Sequence, residues 1–347
     1  MELDRTSLVS WLEEKSPDRL KELYDRAYRV KVSTVGEEVY LRGLVEISNI
    51  CRKNCLYCGI RRDNRSTGRY GISSEEVLRS AEFAYREGYA SMVIQGGERT
   101  DRAFIDRITA LLIEIKRRWP LGITLSLGEQ PIEVYREWFE AGAHRYLLRI
   151  ESSSRELYGR IHPVDAVHSF DARVQALKDL RACGYQVGTG VMIGLPFQNA
   201  AHLADDLLFF RNMDIDMCGM GPYLEHSQTP LYRYRHLLLP RAERLELSIK
   251  MVALLRLLMP DINIAATTAM QAIDPYGREK AIMAGANVLM PNLTLSEVRE
   301  EYQIYESKPG VDEDAAISSS RTEQRLREMK IPIGWGRWGD SAHFGKR

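Results

Sequence analysis

The sequence has no net charge to speak of: 48 Lys and Arg stand against 48 Asp and Glu in 347 residues. No basic field announces a nucleic acid, and no polybasic run announces an anionic lipid surface. A membrane-length apolar run is also missing. The longest stretch, MVALLRLLMP at 251–260, is broken by Arg256 and falls far short of the roughly 20 residues a span requires. The N-terminus, MELDRTSLVSWLEEKSP, alternates apolar and charged residues at helical spacing and holds no signal-peptide core, so the expected location is cytoplasmic, with no membrane and no nucleic-acid partner. Tandem repeats and low-complexity tracts are lacking. Cysteine is scarce: five in all, and three of them crowd into CRKNCLYCGI, residues 51–60. That distribution excludes a disulfide framework, and in a reducing compartment it favours a metal or cluster site.

What is present in quantity is a rhythm. Apolar residues make up 44% of the chain and charged residues 28%, the balance of a protein with a real core. From residue 38 to about 295, short aliphatic runs alternate with amphipathic helical stretches. The runs are EVYLRGLVEISNI (38–50), ASMVIQGGE (90–98), GITLSLGE (122–129), HRYLLRIES (144–152), QVGTGVMIGLP (186–196), MCGMGPYLE (217–225), NIAATTAM (263–270) and NVLMPNLT (287–294). The helical stretches include SSEEVLRSAEFAYREG, opened by the capping box Ser73-x-x-Glu76. Eight such units predict an α/β fold, a complete (β/α)8 TIM-type barrel, in preference to an open doubly wound sheet. Residues 1–37 read as a helical N-terminal extension. Residues 296–347 read as a C-terminal helix and loop tail that closes the barrel, with Trp335 and Trp338 as anchors.

In a parallel barrel the chemistry sits where strands end. Here those ends are polar and glycine-rich: Ser48-Asn49, Gln95-Gly96-Gly97-Glu98, Gly128-Glu129, GLP, GPYLEH, TTAM and MPN. Arg145, Arg149 and Glu151 alternate onto one side of the fourth strand. Burying them costs several kcal/mol unless each finds a partner. They form either a structural ion-pair network or a charged ligand site at the barrel mouth.

Cys51, Cys55 and Cys58 follow the spacing C-x3-C-x2-C directly after the first strand. A structural zinc ion wants four protein ligands. No Cys or His follows within the loop, and only a distant residue such as Cys183 or Cys218 could complete the set. An iron–sulfur cluster on three thiolates instead leaves one iron open to a non-protein ligand. In this respect the chain resembles the radical S-adenosylmethionine (SAM) superfamily. The resemblance implies a [4Fe–4S] cluster on Cys51, Cys55 and Cys58, with SAM chelating the open iron and being cleaved by one electron to a 5′-deoxyadenosyl radical. It implies cofactor contacts from Tyr57, Gly96, Gly97, Glu98, Ser126, Arg149, Glu151 and Arg173. Met192, Ile193 and Leu195 of VMIGLP would pack on the adenine.

Longer strings narrow the resemblance. CRKNCLYCGIRRDN, TLSLGE, RYLLR, GLPFQ, DDLLFF, GPYLEHSQTPL, IKMVAL, IAATTAM, GANVLMPN and YQIY resemble the HydE family of [FeFe]-hydrogenase maturases, which is similar in fold to biotin synthase and to methylornithine synthase, PylB. This implies a small-molecule substrate: a cysteine-bound iron carbonyl/cyanide synthon used in H-cluster assembly. It also implies a reductant of ferredoxin or flavodoxin type and other hydrogenase maturases as partners. The matching substrate positions are Arg42, Gln95, Arg145, Thr267, Thr268 and Met290, with Tyr302 and Tyr305 closing the cavity from the tail. A PylB-like mutase or C–S bond enzyme acting on an amino-acid-derived molecule is the rival within the superfamily, and a cofactor carrier without turnover is the rival outside it. No cysteine follows Cys218, so no second cluster is expected near the C-terminus.

Overall fold

The structure is a computed structural model that describes residues 3–347. Its strands are β1 (Tyr40–Leu41), β2 (Gly43–Ser48), β3 (Ser91–Gly96), β4 (Gly122–Ser126), β5 (Ala143–Leu147), β6 (Gln186–Thr189), β7 (Met192–Ile193), β8 (Met217–Cys218), β9 (Gly221–Pro222), β10 (Asn263–Ile264) and β11 (Val288–Leu289). Seven of them form one parallel sheet in the order β10-β8-β6-β5-β4-β3-β2. Each of the eight apolar runs in the sequence supplies a strand. The eighth, β11, lies outside this sheet. It pairs in parallel with β1, Tyr40 opposite Val288 and Leu41 opposite Leu289, and Val288 makes a single bridge to Ala265 just beyond β10.

Two of the expected strands are interrupted. The fifth and sixth break at Gly190 and Gly219, where the backbones approach so closely that a Cβ on Gly190 would overlap the Gly219 carbonyl. Beyond the break the strands continue as the parallel pair β7–β9. The run NIAATTAM turns helical at Thr268–Ile273 instead of extending to residue 270. Alternation explains which residues face where. Val45 and Ile47 join the main core beneath the outer helices, whereas Arg42, Leu44 and Glu46 take the opposite face of the same strand.

Helices cover the sheet. Ser74–Arg86 begins with the expected capping box: Ser73 accepts from the Glu76 N–H, and Glu76 accepts from the Ser73 N–H at 2.6 Å. The N-terminal helices Arg5–Glu13 and Pro17–Val35 pack on helices Ala200–Asn212 and Arg241–Leu258. Among the described residues no helix is long and apolar enough to cross a membrane.

The C-terminal tail seals the floor of the sheet, at the N-terminal ends of the strands. Trp338 donates its indole N–H to the Pro120 carbonyl at 2.7 Å, and Trp335 stacks on Tyr89 with ring centroids 5.8 Å apart. Both serve as the anchors expected. Arg145, however, is not at the mouth. Its guanidinium is fully buried at the floor and donates to Thr124 Oγ1 (3.0 Å), the Trp338 carbonyl (2.9 Å), Asp340 Oδ1 (2.7 Å) and Ser91 Oγ. Arg42 donates to the Gly339 carbonyl at 2.9 Å. The reason is register: both residues lie early in their strands, and the tail supplies acceptors there.

His144 sits beside this plug, with Nε2 3.1 Å from Asp340 Oδ1. Burial holds its pKa down, from 6.5 to about 4, although Asp340 opposes the shift. A histidine depressed in the folded state contributes stability that is present above pH 6.5 and is lost as the pH falls towards 4. Urea unfolding between pH 7 and pH 4 should therefore show a loss that includes roughly 3 kcal/mol at most from this residue. His144→Asn should flatten that part of the profile, and an unchanged profile would exclude His144.

Candidate functional site

The loop that carries the three cysteines leaves the sheet at Ser48. It is pinned from several sides. Arg69 gathers its turns by donating to the carbonyls of Asn49 (2.7 Å), Ile60 (2.8 Å), Arg61 (2.6 Å) and Asn64 (2.9 Å). Asn49 Nδ2 donates to the carbonyls of Gly68 (2.6 Å) and Glu301 (2.7 Å), tying the loop to the tail. The backbone N–H of Gly59 bonds the Ile304 carbonyl at 3.0 Å, and a Cβ there would overlap Gln303 and His226.

The thiols sit at the base of this loop. Cys51 Sγ accepts from the Glu98 N–H at 3.3 Å, at the turn after β3. Burial raises the pKa of all three: Cys51 upward, Cys55 to about 12, Cys58 well above its ordinary value. Cys51 and Cys55 each raise Cys58 further, so the three thiols lie close enough to feel one another. Among the described residues no three His, Cys, Asp or Glu side chains are grouped to hold a single metal ion. Cys183 packs on the outer core with its thiol 3.7 Å from the Ile132 carbonyl, and Cys218 is buried on β8, so neither completes a zinc set.

Behind the thiols runs a chain of alternating charges. Lys53 Nζ donates to Glu129 Oε2 at 2.8 Å and lies 3.7 Å from Glu98 Oε1. Arg52 Nε reaches Glu98 Oε1 at 2.9 Å, and the Glu129 N–H donates to Glu98 Oε2 at 2.8 Å. Arg173 pairs with Glu129 and donates to the Arg149 carbonyl at 2.5 Å. Arg149 Nη2 donates to the Val191 carbonyl at 2.9 Å and lies 2.9 Å from Glu151 Oε2 in poor hydrogen-bond alignment. Arg149 Nε and Glu151 Oε2 are buried and lack a hydrogen-bond partner. Glu151 itself has φ 66°, a left-handed conformation that costs a non-glycine residue about 1–3 kcal/mol. Burial, first, pushes its carboxyl pKa up, against the pull of Arg149 and Arg173.

An apolar patch adjoins these polar groups. Met192, Leu195, Leu157, Ile161 and Tyr223 form a cluster separate from the main core, with Tyr57 packed against it. Tyr57 meets His162 edge-on, ring centroids 5.4 Å apart, with its hydroxyl 3.4 Å from Nε2. Ile193 does not belong to this patch. Alternation along β7 turns it into the main core, fully buried.

The family model for the radical SAM superfamily matches residues 45–210. The chain is 43% identical over 286 residues to the [FeFe] hydrogenase maturase subunit HydE of Thermotoga maritima, covering 82% of this chain and 79% of that protein. It belongs to the HydE family of the radical SAM superfamily. Two solved structures share the fold. The FeFe-hydrogenase maturase HydG from Carboxydothermus hydrogenoformans superposes with a TM-score of 0.82 at 17% identity, covering 99% of this chain and 78% of that one. Methylornithine synthase, PylB, superposes with a TM-score of 0.79 at 22% identity, over 97% and 95% of the two chains.

The remaining residues expected of a radical SAM site fall in three groups. Gly96, Gly97, Glu98 and Ser126 lie at the ends of β3 and β4 beside the cysteine loop, Gln95 paired with Ser126 across the two strands. At the mouth, Gln95 donates to Tyr302 Oη at 3.2 Å, and Lys308 holds Glu46 at 2.5 and 2.6 Å. Tyr305 is largely buried there, its pKa raised first by burial and then by Glu46. Thr268 and Met290 line a cavity of about 40 Å³ that Leu44 and Lys308 also line. Thr267 turns aside and donates to the Met220 carbonyl at 3.2 Å. Met290 also lines a second cavity of about 20 Å³ deeper in the sheet, where Arg42 forms part of the wall.

Several site residues escaped the sequence reading. Lys53 stands in the quoted CRKNC string, but two basic residues in a loop carry no geometric signal. Glu129 closes a noticed polar strand end. Lys308, Glu46, His162 and Arg69 lie far apart in sequence and become neighbours only in the fold.

At Gly97 a Cβ would overlap the Ile50 carbonyl and come within 2.9 Å of Cys51 Cβ. Gly97→Ala should therefore displace the cysteine loop, lower stability by about 1–3 kcal/mol and speed the reaction of Cys51 with a thiol reagent in metal-free protein. A parent-like unfolding midpoint and thiol reactivity would contradict this packing.

Proposed function

We propose that this chain is a HydE-type radical SAM enzyme acting in assembly of the [FeFe]-hydrogenase H-cluster. The observation that carries the reading is the loop after β2, with three mutually close thiols, Cys55 buried and Cys51 and Cys58 partly so, at C-x3-C-x2-C spacing, in a chain 43% identical to a HydE maturase. Its coarse parts are a barrel of residues 38–295, an N-terminal extension and a closing tail. The short ladders of β11 to β1 and of Val288 to Ala265 support reading the barrel as closed.

The residues present fit a [4Fe–4S] cluster. Burial and mutual repulsion disfavour the three thiolates, and a multiply positive iron core is the partner that would stabilise them. Cys51, Cys55 and Cys58 would hold three irons and leave the fourth to SAM. The unsatisfied Arg149 Nε and Glu151 Oε2 would then find partners in the SAM carboxylate and ribose hydroxyls. Gly96 and Gly97 permit close backbone approach to its amine, with Ser126 and Glu98 beside them. Tyr57, Met192 and Leu195 form the apolar wall for adenine. When bound, cluster and SAM together supply one electron and a 5′-deoxyadenosyl radical.

The chain's own groups bind, orient and exclude water. Arg173 differs from its expected role. With its donors on Glu129 and the Arg149 carbonyl, it positions Arg149 instead of reaching the cofactor. Gln95, Tyr302 and Tyr305 close the mouth over the substrate, a cysteine-bound iron carbonyl/cyanide unit supplied by a partner maturase. Thr268 and Met290 face it from the cavity wall, and Thr267 shapes that wall through its bond to Met220. Arg42 adds positive charge below, while Arg145 is committed to the floor and is no longer assigned to substrate. Electrons would come from a ferredoxin- or flavodoxin-type donor in the cytoplasm.

Three measurements test this. Cys55→Ser should abolish the brown visible absorption after anaerobic reconstitution and all 5′-deoxyadenosine formation with dithionite and SAM; retention of both overturns the cluster assignment. Arg149→Ala should weaken SAM binding by about 1.5–3 kcal/mol, the range for a hydrogen bond to a charged group, and an unchanged affinity would make Arg149 structural. Formation of methylornithine from lysine would replace the maturase reading with a PylB-type one.

A further inference from the structure

The cavity of about 40 Å³ lies between β2, the residues following β11 and the tail helix Ala315–Glu328. Its cations are accounted for with one exception. Lys308 bonds both oxygens of Glu46 and the Tyr302 carbonyl. Arg321 pairs with Glu313. Arg325, further along that helix, bonds Glu279 at 3.2 Å and the Pro275 carbonyl. Arg278 also lines the cavity and is only 7% exposed, yet it has no hydrogen bond or ion pair to any described residue. Its Nε is buried without an acceptor.

Local structure holds Arg278 in this position. The turn Asp274-Pro275-Tyr276-Gly277 closes with the Gly277 N–H on the Asp274 carbonyl at 2.7 Å. A Cβ at Gly277 would overlap the Met270 carbonyl, so glycine lets helix Gly277–Met283 start against residues 270–271. Arg278 is thereby set into the same wall as Gln271. The side chains of Gln271 and Thr268, also on this wall, likewise have no partner among the described residues. Leu44 and Met290 supply an apolar floor. An unpaired, nearly buried guanidinium costs several kcal/mol, and an acidic ligand would remove that cost.

We propose that this cavity is a carboxylate-binding site, in which the Arg278 guanidinium holds the anion, Gln271 and Thr268 donate to it, and a short aliphatic body rests on Leu44 and Met290. A guanidinium fork matches a carboxylate in two parallel bonds. One uncommitted cation matches one negative charge. A phosphate dianion would be undercompensated and would add a second negative charge to a wall that already holds Glu313. Thr268 and Met290 belong to the proposed substrate wall, so this inference deepens that reading; propionate binding needs neither cluster nor SAM, so its failure is distinguishable from failure of the cluster and SAM tests.

The experiment is calorimetric titration of the full chain with propionate, with propionamide and with inorganic phosphate. Parent protein should bind propionate saturably and more tightly than either control. Arg278→Gln should weaken propionate binding at least roughly tenfold, and Arg278→Lys should retain part of it. Because the guanidinium is unpaired in the fold, Arg278→Gln should leave the unfolding midpoint unchanged or raise it, and should leave SAM affinity unchanged. Absence of saturable propionate binding to the parent, equal affinity in Arg278→Gln, or phosphate or propionamide bound as tightly would each overturn the proposal. A lowered midpoint with unaltered propionate affinity would make Arg278 a packing residue.

Discussion

Three thiols drawn partly out of water resist ionisation, and that electrostatic constraint organises the C-terminal edge of the parallel sheet. Burial is the dominant cause at each, and at Cys58 the neighbouring thiols add to it. Nearby cations offset the effect in part: Arg173 and Lys53 pull the Cys55 pKa back. Those cations are themselves held by Glu98 and Glu129, which lie on the turns after β3 and β4. The charge chain therefore links the cysteine loop, two strand ends and the helix Phe170–Ala182 into one electrostatic unit. Removing any member would leave a buried charge without its partner, a loss larger than that of one exposed ion pair.

The tail serves both ends of the strands with different chemistry. At the floor, residues 338–341 offer backbone carbonyls and the Asp340 carboxylate to Arg42, Arg145 and Asn263. Burial opposes ionisation of Asp340, but the bond to His144 and the charge of Arg145 hold its carboxyl far below the usual range. At the mouth, residues 301–308 bring Tyr302, Tyr305 and Lys308 over the sheet and also receive Asn49 and Gly59 of the cysteine loop. A short, two-residue β11 is consistent with this division: where ladder hydrogen bonds are few, side chains from the tail complete the wall.

Much of this was legible in the sequence because periodicity and punctuation are local. Each of the eight aliphatic runs supplied at least one strand, the Ser73-Glu76 box capped its helix, and the cysteine spacing marked the site. Less was legible where identity is local but position is not. Arg145 and Arg149 share a strand face by alternation, yet one ends at the floor and the other near the mouth, because alternation fixes the side of a strand and not the depth along the sheet. Ile193 was grouped with Met192 although β-strand alternation already separates these neighbours; Leu195 rejoins Met192 only because the chain turns at Gly194, φ 79°, which alternation does not foretell. Arg278 had no signal at all. Its significance comes from the absence of a partner, which only the fold reveals.

The strained backbone at Glu151 ties these threads together. Its φ of 66° turns the chain sharply after β5, so that Glu151 lies near enough to Tyr57 and Cys58 to act on their ionisation and pairs with Arg149, while Ile150 enters the core. The strain needs an anchor, and one lies two residues on. Asp206, fully buried on helix Ala200–Asn212, accepts from both the N–H (2.7 Å) and the hydroxyl (2.6 Å) of Ser153. Burial pushes its carboxyl up to about 7, so near neutrality it carries only part of a full charge, and the two Ser153 donors satisfy Oδ1 alone. The DDLLFF string that marked the family resemblance thus acquires a physical reason. Its second aspartate is buried to fix the turn that holds the Arg149–Glu151 ion pair, and a backbone held in that way has no need to reorganise when a charged ligand arrives.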